Sequence, residues 1–113
     1  MGTSPEEVVR LSPEDLNTLL RTGAKVTILD NRPESEYERS HIKGAVSLPW
    51  KERLTEDDIT FPVGNPVVTY CDCGPGESDS ALIAVQLLEM GFSDVKTLAL
   101  GWSEWVKAGF PVE

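Results

Sequence analysis

Short apolar runs alternate with amphipathic stretches along the whole chain. Residues 26–29, 67–70 and 95–98 are brief runs rich in β-branched residues, bounded by polar or turn-forming positions. That length and composition predict buried strands. Between them, Leu16, Leu19 and Leu20 share one helical face, introduced by Ser12 as N-cap and Pro13 as first helical residue, and Gly23 stops the segment. Residues 80–90 carry the strongest helical pattern, closed by Gly91 with Phe92 behind it. Residues 7–10 predict a short edge strand, 35–38 a short helix, 45–48 a further strand and 102–108 a last helix. Strands thus alternate with helices, which predicts an α/β architecture with a mostly parallel sheet. Crossovers in such a sheet are right-handed, and ligands bind at the carboxyl ends of its strands.

With 113 residues and 40% apolar content, the chain suits one globular domain over residues 1–113. No repeat, low-complexity tract or linker interrupts it. No apolar run approaches the roughly 20 residues that cross a bilayer, and the polar N-terminal stretch has no signal-peptide core. The formal charge of −9 opposes phosphate backbones and anionic lipid, so neither nucleic acid nor membrane is an expected partner. Two cysteines, Cys71 and Cys73, stand one residue apart, unlike the spread cysteines of a disulfide-stapled secreted domain. A reducing, cytoplasmic setting is the expectation. With the single His41 they supply too few soft ligands for a closed zinc site unless a second chain contributes, so no metal is expected.

The candidate chemistry lies in PVVTYCDCGPGESDSALIAVQLLEMGF. The apolar run ends at Cys71, and Gly74, Pro75 and Gly76 cannot continue it. A helix follows from residues 78–80. A thiol there sits at a strand's carboxyl end before a helix N-terminus and the free amides of a turn, an environment that favours a bound anion. The strand end favours Cys71 as nucleophile, whereas the spacing back from Gly91 favours Cys73. Gly74 and Gly76 either admit a substrate close to the backbone or serve the turn alone. Ser78 and Ser80 either donate to bound sulfur or cap the helix. Asp72, Glu77 and Asp79, with no Lys or Arg among them, oppose an anionic donor. His41 reads better as a turn-ordering residue than as a general base, and Trp102 and Trp105, at i and i+3, as packing residues. Trp50 stands in a connection that can border the site. Lys43, Lys51 and Arg53 form the one basic cluster, either steering a substrate or solvating the surface.

Four stretches in order resemble the rhodanese-like sulfurtransferase family: ILDNRPESEYERSHIKGAVSLP, VVTYC with its glycine-containing loop and helix, LLEMGFSDVKTLALGWSEW, and AGFPVE. The loop is similar to a C-x-C variant of the family's active-site segment and is longer than usual when counted from Cys71. The resemblance implies a roughly five-stranded sheet with helices on both faces. It implies a cysteine that takes sulfane sulfur from a donor, holds it as a persulfide and passes it to a thiophilic acceptor, without metal or organic cofactor. Cys71, with Cys73 as alternative, would be catalytic. Asp72, Gly74, Gly76, Glu77 and Ser78 would form the substrate cradle. The substrate would be a small sulfur compound or a persulfide-carrying protein. The resemblance also implies that Arg32 pairs with an acid such as Glu36. Two other functions compete: an inactive binding or regulatory module, and a thiol redox protein using the cysteine pair. Phosphatases of similar fold need a loop arginine for the oxyanion, which this loop lacks.

Overall fold

The computed structural model describes residues 4–72 and 77–113. Five strands, β1 (Val9–Leu11), β2 (Thr27–Asp30), β3 (Val46–Ser47), β4 (Val67–Tyr70) and β5 (Val95–Leu98), alternate with four helices, α1 (Pro13–Arg21), α2 (Glu34–Arg39), α3 (Ser78–Glu89) and α4 (Gly101–Lys107). The strands form one sheet in the order β1-β5-β4-β2-β3, and every neighbouring pair is parallel. The five-stranded parallel α/β fold expected from the sequence is the fold observed.

Local chemistry accounts for the element ends. Ser12 accepts the Asp15 amide at 3.1 Å and Pro13 opens α1. Gly23, at φ +78°, turns the chain out of that helix. β1 begins at Val9, not Glu7, because a capping box between Ser4 and Glu7 holds Pro5–Glu7 in a tight helical turn. β2 runs one residue past the expected end: Asp30 still pairs with Tyr70 on one side and Ser47 on the other.

Side chains alternate across the sheet and build two cores. On one face, Leu29, Val67 and Val95 pack with Ile83, Ala84 and Leu87 of α3. On the other, Ile28, Val68, Tyr70 and Leu98 pack with Leu16 of α1 and Trp105 of α4. The strand order reverses at β2, whose successor β3 lies on one side and β4 on the other. Such a switch point opens a crevice where the loops leaving β2 and β4 part. No described helix is long and apolar enough to cross a membrane.

Candidate active site

Two loops leave the sheet side by side. Asp30 and Tyr70 are register partners, and the Asn31 amide continues the ladder onto the Tyr70 carbonyl at 2.8 Å. Beyond that point the chains separate around a cleft of about 270 Å³, which Cys71 lines together with Asn31, Arg32, Glu36, Asp72 and Asp79. Cys71 directly follows β4 and is only 2% exposed, so it presents little more than one edge to the cleft.

The surroundings of the thiol are polar. Cys71 Sγ lies 3.5 Å from Ser80 Oγ, in the first turn of α3. The Ser80 hydroxyl is hydrogen-bonded to that of Thr97, and the Thr97 hydroxyl donates to the Thr69 carbonyl at 3.2 Å. A file of buried hydroxyls thus runs from the thiol into the sheet. The Cys71 carbonyl accepts the Trp102 amide at 2.9 Å. Gly101, just before it, has φ +64° and packs against that same carbonyl.

A second buried network forms the opposite wall. Arg32, 4% exposed, reaches the fully buried Asp30 through Nε and Nη2, with Nη2 2.7 Å from Oδ2. Nη2 also donates to the Ser40 carbonyl at 2.6 Å, and the guanidinium lies 4.1 Å over the Trp102 ring. Tyr70 donates its hydroxyl to Asp30 Oδ2 at 2.6 Å and accepts the Ile42 amide. Burial, followed by the bond to Asp30 and its negative charge, pushes the Tyr70 phenol well above its ordinary range. Asp30, and not Glu36, is therefore the acid that holds Arg32. The reason is local: the Asp30 carboxylate already caps the Arg32 amide at 2.9 Å, whereas Glu36 reaches outward to Arg39.

The other anticipated residues divide. Asp72 lines the cleft and accepts the Ser103 hydroxyl. Glu77 turns away from it. Its carboxylate receives Arg10 Nε at 2.9 Å and the Leu100 amide at 2.8 Å, while its backbone takes a left-handed φ of +47° at the N-cap of α3. Ser78 borders a different depression with Pro5, Arg10 and Leu82. Cys73, Gly74 and Gly76 lie outside the described residues. His41 stacks on Tyr37, and its Nδ1 is 2.8 Å from the Tyr37 carbonyl, which suits a turn-ordering role. Trp105 is core, whereas Trp102 also serves as the stacking surface for Arg32. Trp50 borders the site through an adjoining cavity shared with Asn31, Pro33 and Asp79.

Sequence reasoning missed Asn31, Thr97, Arg10 and Gly101. Arg10 and Glu77 stand too far apart in sequence for any local pattern to join them. Gly101 alone left a signal, a glycine between a strand and a helix start. Among the described residues, no group of three or more His, Cys, Asp or Glu is arranged to hold a metal ion.

Residues 12–108 match the family described as Rhodanese-like domain. The adenylyltransferase and sulfurtransferase UBA4 of Meyerozyma guilliermondii is 32% identical over 103 residues, covering 85% of this chain and 23% of that protein. An HTH-type transcriptional regulator of Mycobacterium tuberculosis is 36% identical over 115 residues, covering 90% of this chain and 46% of its own length. The chain therefore spans less than half the length of these curated relatives, 23% of one and 46% of the other. The rhodanese-like domain of the Anabaena Alr3790 protein superposes with a TM-score of 0.76 at 26% identity, over 98% of this chain and 80% of that one.

Proposed function

The chain belongs to the rhodanese-like domain family, and on that footing we propose that it transfers sulfane sulfur through a persulfide formed on Cys71. The observation that carries this reading is the placement of Cys71 Sγ, at the edge of the cleft and 3.5 Å from Ser80 Oγ in the first turn of α3. A thiol buried among apolar side chains would have neither an approach for a donor nor a hydrogen-bond partner for an anion.

The chemistry takes two displacements. The Cys71 thiolate attacks the outer sulfur of the donor, a new S–S bond forms, and the donor's leaving group departs with the electrons of the broken bond. An acceptor thiolate then attacks the outer sulfur of the Cys71 persulfide and restores the Cys71 thiolate. The positive end of α3 favours the anionic sulfur in both states. The Ser80 hydroxyl is within reach to donate to it. The Gly101–Trp102 backbone, bonded to the Cys71 carbonyl, fixes where the sulfur points. The donor is a small sulfur compound or a protein persulfide. A reducing cytoplasmic setting suits a reactive thiol.

Intact-mass measurement tests the reading. After exposure to a sulfane-sulfur donor the protein should gain one sulfur, which cyanide or dithiothreitol then removes. Cys71→Ser should abolish the gain and Cys73→Ser should retain it. Loss of the gain with Cys73→Ser alone assigns the chemistry to Cys73, and a gain that survives in both single variants overturns the site. A second reading, a docking or regulatory module, draws on the acidic lining of the cleft. It requires a protein that takes up no sulfur from any donor yet binds a specific partner.

A further inference from the structure

Resting on the sulfur-transfer reading, we infer that the cleft over Cys71 selects a cationic sulfur donor, a persulfide flanked by N–H-bearing positive groups, and disfavours small oxyanions such as thiosulfate.

The carboxylates come first. Glu36, Asp72 and Asp79 all line the cleft. Among the described residues only Glu36 has an ion-pair partner, the exposed Arg39 at 3.5 Å. Asp72 has a neutral hydroxyl from Ser103, and no ion pair of Asp79 occurs among the described residues. Among the described residues the single cation in the lining is Arg32, whose Nε and Nη2 are engaged. Asp30 neutralises it through a bidentate contact, Ser40 takes a further N–H, and Trp102 covers one face. An incoming oxyanion would meet three acids against two guanidinium groups that acids already neutralise, Arg32 by Asp30 and Arg39 by Glu36.

Two members of the basic cluster read from the sequence do not correct this balance. Lys51 pairs with Asp58, and Lys43 lines a separate cavity beside Asn17 and Pro111. Residues 73–76 are Cys, Gly, Pro and Gly, so the loop brings no positive side chain.

An independent feature points the same way. Asn31 is 2% exposed and lines the cleft. Its Nδ2 donates to the Leu48 carbonyl at 2.8 Å, which leaves Oδ1 as the remaining polar atom. Among the described residues that oxygen has no hydrogen-bond partner. A buried acceptor without a donor is uncommon, and its negative end adds to the potential of the acidic wall, which favours a cation over an oxyanion. The cleft also continues past Asn31, Pro33 and Asp79 to Trp50, which is 42% exposed. An aromatic face beside a carboxylate suits a cation. All these groups lie close enough together that physiological salt screens them only partly.

The transfer balances without an oxidant. Cys71–S⁻ attacks the outer sulfur of R–S–SH, the donor's S–S bond breaks, R–S⁻ leaves with its electron pair, and Cys71–S–SH remains. The positive charge on R is not consumed and serves recognition alone.

The test uses the full chain with Cys73→Ser, so that Cys71 is the single thiol. Its thiolation by 2-aminoethyl methanethiosulfonate is compared with that by the anionic 2-sulfonatoethyl reagent, each divided by its rate with a free neutral thiol. In both, the thiolate displaces methanesulfinate and forms a disulfide, read by intact mass. The cationic reagent should be favoured by at least about tenfold at low salt. High salt and Asp79→Asn should each shrink that preference. Equal rates, or a faster anionic reagent, overturn the inference and leave sulfur transfer standing. Failure of both reagents to reach Cys71 overturns the sulfur-transfer reading as well. In a second arm, cysteamine persulfide and a persulfidated Lys-Cys-Lys peptide represent the two sources of the cationic chemistry, and the faster one names the source. Thiosulfate or a Glu-Cys-Glu persulfide matching them overturns the inference.

Discussion

Gly101 packs so tightly on the Cys71 carbonyl that an added Cβ would overlap the oxygen, a backbone atom that cannot swing aside. The start of α4 therefore clamps the backbone of the candidate nucleophile, with the Trp102 amide bonded to the same oxygen. Gly101→Ala would add this clash to a strained φ of +64°. A loss of about 2–4 kcal/mol in stability is expected, measured as a lower urea midpoint, with slower sulfur uptake by the protein that remains folded. An unchanged midpoint would show that the clamp yields.

Ser80 is the hydroxyl nearest the sulfur. Its hydroxyl accepts the Cys71 S–H and has both the Glu77 carbonyl, at 3.3 Å, and the Thr97 hydroxyl within hydrogen-bond reach. With an anionic sulfur the Ser80 hydroxyl turns to donate to it. Ser80→Ala should slow persulfide formation roughly tenfold, the worth of one hydrogen bond to a charged group. Equal rates of sulfur gain in the two proteins would remove Ser80 from the mechanism.

Glu77 anchors the start of α3 by binding Arg10 and the Leu100 amide. Glu77→Ala should cost about 2–3 kcal/mol, because Arg10 and the part-buried Leu100 amide both lose their charged acceptor. Glu77→Gly loses the same bonds but relieves the left-handed backbone, so it should be the milder change by about 1 kcal/mol. Urea unfolding of the pair separates the two contributions, and the reverse order would contradict the account.

Tyr70 gives the protein an alkaline limit. Burial and Asp30 raise the folded-state ionisation of its phenol, whereas the unfolded chain ionises near about pH 10. Above that pH the unfolded state has lost a proton that the folded state keeps, so stability falls as pH rises. Below it the contribution is fully present. Phenolate absorbance of Tyr70 should appear only as the protein unfolds. Tyr70→Phe should flatten the alkaline decline while lowering stability at neutral pH through the lost bond to Asp30. A Tyr70 that titrates near pH 10 in the folded protein would contradict the buried network.

Local chemistry in the sequence determined the elements and the place of the chemistry. Residues 67–70 and 95–98 are strands as the β-branched runs require, Ser12 and Pro13 open α1, and Cys71 stands at the end of β4 before a helix. Those features depend on neighbours a few positions away, which is why pattern alone reveals them. The tertiary structure alone decided which charges meet. Glu77 reads as a loop acid facing sulfur but is turned to Arg10. Lys43 and Lys51 read as a cluster but part company. Ion pairs and hydrogen bonds form between whatever groups the packed sheet brings within about 3 Å, and that proximity follows from strand order, which no short stretch of sequence encodes.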